Sequence, residues 1–216
     1  MINDTPSKSL ASYLLPTIPF FISIVVIYGW KVGSINLISI IDEKPSMKFA
    51  TALSILLQSI VTFLICKQGT SGRSEDAILI CSSASLASVI LGFFGLLGFD
   101  YKNNFSSIVG VPSLGTMACF LSFSIISYDY VFGKSTRFFQ GIINACAGFV
   151  FLVSTVGLMG YLFKYPPLFL SIPHISSGMA VHTCISFLIL SLSYFASSAP
   201  FKHIGTLKST KALRSP

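Results

Sequence analysis

Two histidines near the end of the chain are the side chains best suited to bind a ligand. His182 opens the last long apolar segment, and His174 precedes it in a more polar stretch. Neutral imidazole can coordinate haem or a metal ion, and an ionisable group at membrane depth usually has a function. A paired haem site needs a second ligand on a facing helix, whereas His203 follows the other end of the segment. We therefore expect His182, Thr183 and His174 to contact a ligand, and we expect no metal site.

The other residue types argue against catalysis. No Asp, Glu, Lys or Arg falls near the middle of a long apolar segment, although ion-coupled carriers usually need such groups there. The serines are too abundant for a pairing with His182 to indicate a hydrolase. Five cysteines are dispersed without CxxC or CxxH spacing. We therefore predict no enzyme activity and no cofactor in this chain alone, while a quinone, pigment or haem at a partner interface stays open.

The elements that must position these residues are membrane-spanning helices. Hydrophobic residues make up 53% of the chain and charged residues 10%, and the mean hydropathy is +0.80. Soluble domains carry about 25% charged residues, so an integral membrane protein is predicted. About 20 apolar residues cross the hydrocarbon layer as a helix. Six segments of about this length predict an all-α bundle, with spans at 11–30, 47–66, 77–99, 114–132, 139–163 and 178–199.

The basic residues set the expected orientation. Both termini and the second and fourth loops carry nine Lys and Arg residues, whereas the other three loops carry five. The positive-inside rule therefore predicts that residues 1–10 and the basic tail at 200–216 are cytoplasmic. The net charge of +7 forms no basic face on a soluble domain, so the lipid bilayer rather than nucleic acid is the expected partner. We expect a multi-pass protein of the bacterial cytoplasmic (inner) membrane.

A short pattern recurs three times, at the start of every second predicted helix. Its copies align on Thr51, Thr116 and Thr183, each followed by an apolar run. Each copy also follows a helix that ends in a glycine and an aromatic residue. These pairs are Gly29-Trp30, Gly98-Phe99 and Gly160-Tyr161.

The repeated pattern predicts three helical hairpins, at 11–66, 77–132 and 139–199. We expect the glycine of each pair to form the left-handed exit turn of its helix, with the aromatic residue at headgroup level. The ligand-binding residues expected near the outer face are Thr51, Thr116, Thr183, His182, His174, Trp30 and Tyr161.

Small residues are concentrated in the third and fifth predicted helices. In lipid, helices associate through close backbone packing, which small side chains permit. Packing within the bundle, or at an interface with a second copy or another membrane subunit, is expected at Gly92, Gly95, Gly98, Gly141, Ala145 and Gly148. Gln58, Asn144 and His182 are the main polar side chains without a hydroxyl at membrane depth, and interhelical hydrogen bonding is their ordinary role.

The sequence resembles the multi-helix N-terminal membrane sensor region (MASE-like) of bacterial histidine kinases and diguanylate cyclases. The resemblance lies in Gly29-Trp30 with Met-Lys-Phe-Ala-Thr-Ala-Leu at 47–53, and in Gly160-Tyr161 with Met-Ala-Val-His-Thr at 179–183. The middle copy departs from the pattern, because Pro112 stands where the others have Met. Family members continue into an output domain, whereas this chain stops at Pro216. The resemblance implies a truncated or stand-alone sensor module, or a subunit whose output lies in another protein.

Three functions follow as hypotheses. The leading one is a membrane sensory module that binds an apolar or membrane-borne cue between its helices near the outer face. The second is an accessory subunit that packs against a larger membrane complex. The third, a small-solute carrier, has less support because the predicted spans lack central charges.

Overall fold

The computed structural model describes residues 14–40, 45–67, 72–93, 112–132, 137–165, 167 and 178–212. Within these residues the chain forms seven α-helices and no strand. The helices are α1 (Thr17–Val32), α2 (Ile35–Ile38), α3 (Phe49–Lys67), α4 (Gly72–Phe93), α5 (Leu114–Phe132), α6 (Arg137–Leu162) and α7 (Val181–Ala212).

Four of these helices are long and apolar enough to cross a membrane. Their apolar stretches are Phe49–Lys67, Ser74–Gly92, Leu114–Phe132 and Gly141–Leu162. A helix of about 20 residues rises ~30 Å, which matches the hydrocarbon layer. Two shorter apolar helices, Thr17–Val32 and Val181–Ala196, accompany them. The chain is therefore an all-helical membrane protein, and each of the six predicted spans overlaps one long helix.

The six long helices form a closed ring. We call α1, α4 and α6 the outgoing helices, and α3, α5 and α7 the return helices. Each outgoing helix packs against the return helix that follows it, each return helix packs against the next outgoing helix, and α7 against α1 closes the ring. Helix α3 also contacts α5 and α7. In α3, 61% of the apolar stretch is buried, but in α6 only 22%. The return helices therefore form the interior of the bundle.

The return helices bury the same positions relative to their threonines. Residues at offsets of 3, 4, 7, 8, 10 and 11 from the threonine are buried in all three helices. Such offsets fall on one face of an α-helix, so the three helices turn equivalent faces inward. These residues are Ser54, Ile55, Gln58, Ser59, Val61 and Thr62 in α3, Cys119, Phe120, Phe123, Ser124, Ile126 and Ser127 in α5, and Ser186, Phe187, Leu190, Ser191, Ser193 and Tyr194 in α7.

The return helices also begin at the same position, two residues before the threonine. In each, the residue after the threonine donates its N–H to the carbonyl four residues back. These bonds run from Ala52 to Lys48 at 2.9 Å, from Met117 to Ser113 at 3.0 Å and from Cys184 to Ala180 at 3.0 Å.

Helices α1 and α6 end alike. The left-handed residue is Gly33 (φ 70°) after α1 and Lys164 (φ 56°) after α6, in both cases four residues beyond the glycine of the repeated pair. The next N–H in the chain closes each turn by donating to the carbonyl of that glycine. This 6→1 hydrogen bond is the Schellman motif.

The expectation that the glycine of each pair forms the exit turn is wrong for Gly29 and Gly160, because both lie within their helices and the left-handed residues are Gly33 and Lys164. A Cβ on Gly29 would lie 2.6 Å from the Cβ of Leu37 and 3.1 Å from Ile38 Cγ2. Glycine at this position therefore allows the short helix α2 to fold back against α1.

The last helix is longer than predicted. Helix α7 continues through Pro200 and ends at Ala212, whereas the predicted span ended at residue 199. Part of the segment predicted as a separate tail is thus a helical extension of the bundle. Residues 1–10, predicted to be cytoplasmic, lie outside the described residues.

Candidate functional site

The end of the bundle where the return helices begin, called here the threonine end, holds most of the predicted ligand-binding residues. Trp30 Nε1 donates to the carbonyl of Met47 at 2.9 Å, and the Tyr161 hydroxyl donates to the carbonyl of Met179. Both methionines are buried and lie four residues before a repeat threonine. The two aromatic side chains therefore tie the end of an outgoing helix to the start of the next return helix.

The middle hairpin holds its return helix differently. Ser113 caps α5, since its Oγ accepts the N–H of Thr116 at 3.1 Å and lies 2.8 Å from the Thr116 hydroxyl. Pro112 occupies the methionine position and is buried. Phe99, whose ring carries no hydrogen-bond donor, lies outside the described residues.

The three repeat threonines lie inside packed protein. Thr51, Thr116 and Thr183 are each 2% exposed. They lie in the first turns of the three return helices, and each belongs to the buried face of its helix rather than to an open surface. A ligand could reach them only if the return helices separated.

His182 is the predicted site residue that keeps an unused polar atom. Its side chain is half-buried, and its Nδ1 is buried without a partner among the described residues. Lys48 lies three residues before the threonine of the first copy, and burial lowers the pKa of its ammonium group. His174 lies outside the described residues. Within the described residues the threonine end thus offers a single unpaired imidazole nitrogen.

The predicted small residues divide into two groups. A Cβ on Gly92 would lie 2.6 Å from the Cβ of Ala50, so Gly92 permits close packing of α4 on α3. In contrast, a Cβ on Gly141 or Gly148 would meet nothing within 4 Å, and Ala145 is exposed. These three residues of α6 lie away from their own bundle. Gly95 and Gly98 lie outside the described residues.

Gly157, another of the small residues of the fifth predicted helix, makes a close contact in the third hairpin. Its Cβ would lie 2.7 Å from Cys184 Sγ, so glycine allows α6 to approach the start of α7. The sequence shows that α6 is rich in small residues. Which of them face α7 is evident only from the packing of the two helices.

Aromatic rings fill the middle of the bundle between α5 and α7. Phe120 and Phe187 meet edge to face with centroids 5.0 Å apart, and Phe123 lies 5.8 Å from Phe187. All three side chains are almost fully buried. Further from the threonine end, Phe123 also stacks on Tyr194, with ring centroids 5.6 Å apart.

Tyr194 joins the three return helices. Its hydroxyl accepts a 3.4 Å hydrogen bond from Gln58 Nε2 of α3 and lies within hydrogen-bonding reach of Thr62 and Ser127. Thr62, Ser127 and Tyr194 occupy the same offset, 11 residues after their threonines. We call Gln58, Thr62, Ser127 and Tyr194 the tyrosine node. Gln58 Oε1 is buried there without a partner among the described residues.

A second polar contact links the first two hairpins. Ser54 Oγ of α3 donates to the carbonyl of Ser85 in α4 at 2.9 Å, and Ser85 Oγ donates back to the carbonyl of Ser54 at 3.0 Å. This reciprocal pair holds α3 and α4 together, because each hydroxyl donates to a carbonyl of the other helix.

A cleft opens beside the tyrosine node, at the end of the bundle away from the threonines. It lies between α3, α5, α6 and α7, and Tyr194 forms part of its wall. Asn144 and Phe195 are exposed at its margin. The lining residues are Ile65, Ile126, Tyr130, Ile143, Asn144, Ala147, Tyr194 and Phe195. We call this feature the lateral cleft.

The lateral cleft has apolar walls with a few polar groups, and its free volume of about 10 Å³ is room for about one water-sized group. The predicted ligand set contains none of its residues. Asn144 was a visible signal, since an amide at membrane depth is rare, but the remaining walls come from four helices far apart in sequence. Within the part of the chain that the structure describes, no cluster of His, Cys, Asp or Glu could hold a metal ion.

Comparisons of the chain with protein-family models, with curated proteins and with solved structures found no match.

Proposed function

We propose that this chain is a membrane signal-input module that binds an apolar or membrane-borne cue between its helices and performs no catalysis of its own. The observation that carries the proposal is the position of Tyr194. Its ring lines the lateral cleft, and its hydroxyl lies in the node that joins α3, α5 and α7. A molecule that enters the cleft therefore contacts the residue shared by all three return helices.

The proposed site is the lateral cleft rather than the threonine end. Trp30 and Tyr161 already donate to backbone carbonyls, and the repeat threonines are buried. His182 keeps an unpaired nitrogen but has no convergent polar partner among the described residues. A cue at the cleft would act on the threonine end indirectly, through the return helices.

The proposal includes the finer architecture predicted from the sequence. We propose six transmembrane helices arranged as three copies of one hairpin, with both termini cytoplasmic in a bacterial inner membrane. The shared buried offsets, the shared helix starts and the matching exits of α1 and α6 support the repeat. The excess of basic residues on one side supports the orientation. The resemblance to kinase and cyclase sensor regions is consistent with the proposed role.

Trp30 provides a built-in test, because it is the only tryptophan in the chain. Trp30 donates a hydrogen bond to the carbonyl of Met47. Ile65 of the cleft lies 18 residues after Met47, which corresponds to about 27 Å along a helix. In phosphatidylcholine nanodiscs, titration with a long-chain alcohol should change Trp30 emission saturably. The Tyr194→Phe variant should lose most of this response. An emission that stays constant while the cleft is occupied would reject the signal-input function.

An accessory subunit of a larger membrane complex is the second candidate. It is favoured by the outward position of Gly141, Ala145 and Gly148 on α6, where another helix could approach closely. Purification in mild detergent tests this candidate. A stoichiometric complex that fails to assemble without this chain, or with Gly148→Leu, would support the subunit over the sensor.

A small-solute carrier has the least support, since Phe120, Phe123 and Phe187 fill the middle of the bundle. A carrier needs an aqueous path past this point. Solute flux into proteoliposomes tests the candidate directly.

A further inference from the structure

We infer that the interior of the bundle holds a site for one water molecule, bound by Gln58 of α3, Ser82 of α4 and Ser124 of α5. None of these three residues lines the lateral cleft. The inference goes beyond the proposed function, because it does not depend on what enters the cleft. Three observations carry it: unused hydrogen-bonding atoms, their common level in the bundle, and the direction of the two serine hydroxyls.

Each of the three residues keeps a polar atom without a partner among the described residues. These atoms are Gln58 Oε1, Ser82 Oγ and Ser124 Oγ. The residues are 0%, 0% and 3% exposed, so they lie inside packed protein. A polar group that is buried without a hydrogen bond costs free energy. If the three atoms lie together, one shared partner removes all three costs.

Helices α3 and α4 bring Gln58 and Ser82 to one level. The two helices run in opposite directions, and Ser54 and Ser85 face each other through their reciprocal hydrogen bonds. Gln58 lies four residues after Ser54, and Ser82 lies three residues before Ser85. At the rise of an α-helix, both therefore lie about 5 Å from that pair, on the side of the tyrosine node.

Ser124 lies at the level of Gln58 in the neighbouring return helix. Equal offsets from the repeat threonines lie at equal levels, since Phe120 and Phe187 share the same offset and their rings meet. Gln58 and Ser124 have offsets of 7 and 8. Helices α3 and α5 also contact each other directly. The two residues therefore meet on the buried faces of adjacent helices.

The contact between α4 and α5 agrees with this level. The Ser83 hydroxyl of α4 lies 2.6 Å from the Tyr128 hydroxyl of α5. Tyr128 is one helical turn after Ser124, and an aromatic side chain in a helix leans back toward the N-terminus. The Tyr128 hydroxyl therefore lies near the level of Ser124, and Ser82 is the chain neighbour of Ser83. The unused atoms of three adjacent helices thus converge.

The two serines differ from other buried serines of the bundle. Ser59, Ser122 and Ser127 each donate to the carbonyl four residues back in their own helix, a common hydrogen bond for serine within a helix. The hydroxyls of Ser82 and Ser124 make no such bond. They are therefore able to donate to a molecule between the helices.

The three atoms match the hydrogen-bonding capacity of water. Both serine hydroxyls can donate to its oxygen, and the water can donate to Gln58 Oε1, which only accepts. Three hydrogen bonds are typical of a buried water. A metal ion would need more oxygen ligands and a compensating charge. Because Gln58 Nε2 donates to Tyr194, the water connects α4 and α5 with the tyrosine node.

Unfolding of alanine variants of the full chain in detergent tests whether the two serines share a partner. Ser82→Ala and Ser124→Ala each remove a hydroxyl from a different helix. If both hydroxyls bind one water, either substitution disrupts the same network, and the second then costs less. The rise in the unfolding equilibrium constant of the double variant should be roughly 2- to 10-fold smaller than the product of the single rises.

Ser122→Ala is the matched control on α5. Its hydroxyl donates within its own helix, so its effect should multiply with that of Ser82→Ala. In the Gln58→Leu background, the coupling between Ser82 and Ser124 should vanish, because each hydroxyl can turn back to its own helix as that of Ser122 does. A crystal structure should show one water within about 3.2 Å of all three atoms, and no water there in the double variant.

Effects of Ser82→Ala and Ser124→Ala that simply multiply would overturn the inference. So would a crystal structure in which either serine bonds directly to Gln58, since no water would then join them. Unfolding in sodium, potassium and choline chloride should be the same. A stability that depends on the cation would replace the water with a metal ion and would also overturn the inference.

Discussion

The threonine end and the lateral cleft use polar side chains in opposite ways. At the threonine end, Trp30 and Tyr161 are committed to backbone carbonyls. At the cleft, Asn144 is exposed, and in the adjacent tyrosine node Gln58 Oε1 lacks a partner among the described residues. In a membrane, an amide or hydroxyl more often holds helices together than it binds a ligand. The comparison shows that the proposed site differs from the threonine end by its incomplete packing rather than by the presence of polar side chains.

The repeat makes this contrast sharper. At the threonine end the three copies carry the same residue, threonine, at the alignment position. At the node the equivalent residues are Thr62, Ser127 and Tyr194, and only the tyrosine is long enough to reach from α7 toward both other return helices. The copies therefore agree where they share a structural role and diverge beside the cleft.

The largest effect is expected from adding a methyl group at the threonine end. Gly92→Ala places a Cβ 2.6 Å from the Cβ of Ala50, which is fixed to the backbone, so α4 must shift. We expect a loss of about 2–3 kcal/mol in the free energy of unfolding, typical of overpacking. Thermal or denaturant unfolding in detergent measures it.

Gly148→Ala on α6 is the control for that substitution. Nothing lies within 4 Å of its added Cβ. Because alanine loses less backbone freedom on folding than glycine, the free energy of unfolding should rise by about 0.5–1 kcal/mol. If both variants lost stability equally, the tight packing assigned to the threonine end would be incorrect.

The tyrosine node should respond unequally to substitution of its two main members. Tyr194→Phe removes the acceptor of Gln58 Nε2 and leaves a buried donor unpaired, at a cost of about 1–2 kcal/mol. Gln58→Leu removes the donor together with an oxygen that already lacks a described partner, and should cost less than about 1 kcal/mol. Unfolding of the two single variants and of the double variant measures the coupling. A costlier Gln58→Leu would show that Gln58 Oε1 has a strong partner.

The two aromatic ties at the threonine end should have similar, smaller effects. Trp30→Phe and Tyr161→Phe each remove one hydrogen bond to a methionine carbonyl, and each should cost about 1 kcal/mol in unfolding free energy. The ties belong to different hairpins, so their effects should add. A neutral result for either variant would mean that the bond is not needed to hold the return helix.

The smallest effect is a pH dependence from Lys48. Burial lowers the pKa of Lys48 in the folded protein below its ordinary value of 10.5, so the unfolded chain binds more protons between the two values. Stability should therefore rise with pH within that window and level off above it. Lys48→Met should remove this rise when unfolding is followed from neutral to alkaline pH. Identical pH profiles for both proteins would contradict the prediction.

The helical, membrane-embedded fold could be predicted because it follows from local composition. The predicted start at 114 matches α5, and those at 47 and 178 precede α3 and α7 by two and three residues. The first exit turn was predicted at Gly29, but the left-handed residue is Gly33. Glycine is needed at position 29 because Leu37 of α2 packs closely against it. A single close contact between two helices, such as that of Gly29 with Leu37, cannot be identified from the composition of either segment.

The site could be predicted only in part for the same reason. Gln58 and Asn144 stood out as amides in apolar segments, and Gln58 does bond across helices. The cleft itself depends on how Ile65, Ala147 and Tyr194 from three helices approach one another. Short-range patterns therefore identified candidate side chains but could not show which of them had already found partners.

The unbroken course of α7 has a mechanical consequence. Tyr194 is followed by 18 more helical residues, so the helix extends about 27 Å beyond the node. A tilt of about 5° at Tyr194 would move the far end at Ala212 by roughly 2 Å, if the helix behaves as a stiff rod of that length. Under the proposed function the helix would work as a lever, in which a small tilt beside the cleft becomes a larger displacement at Ala212.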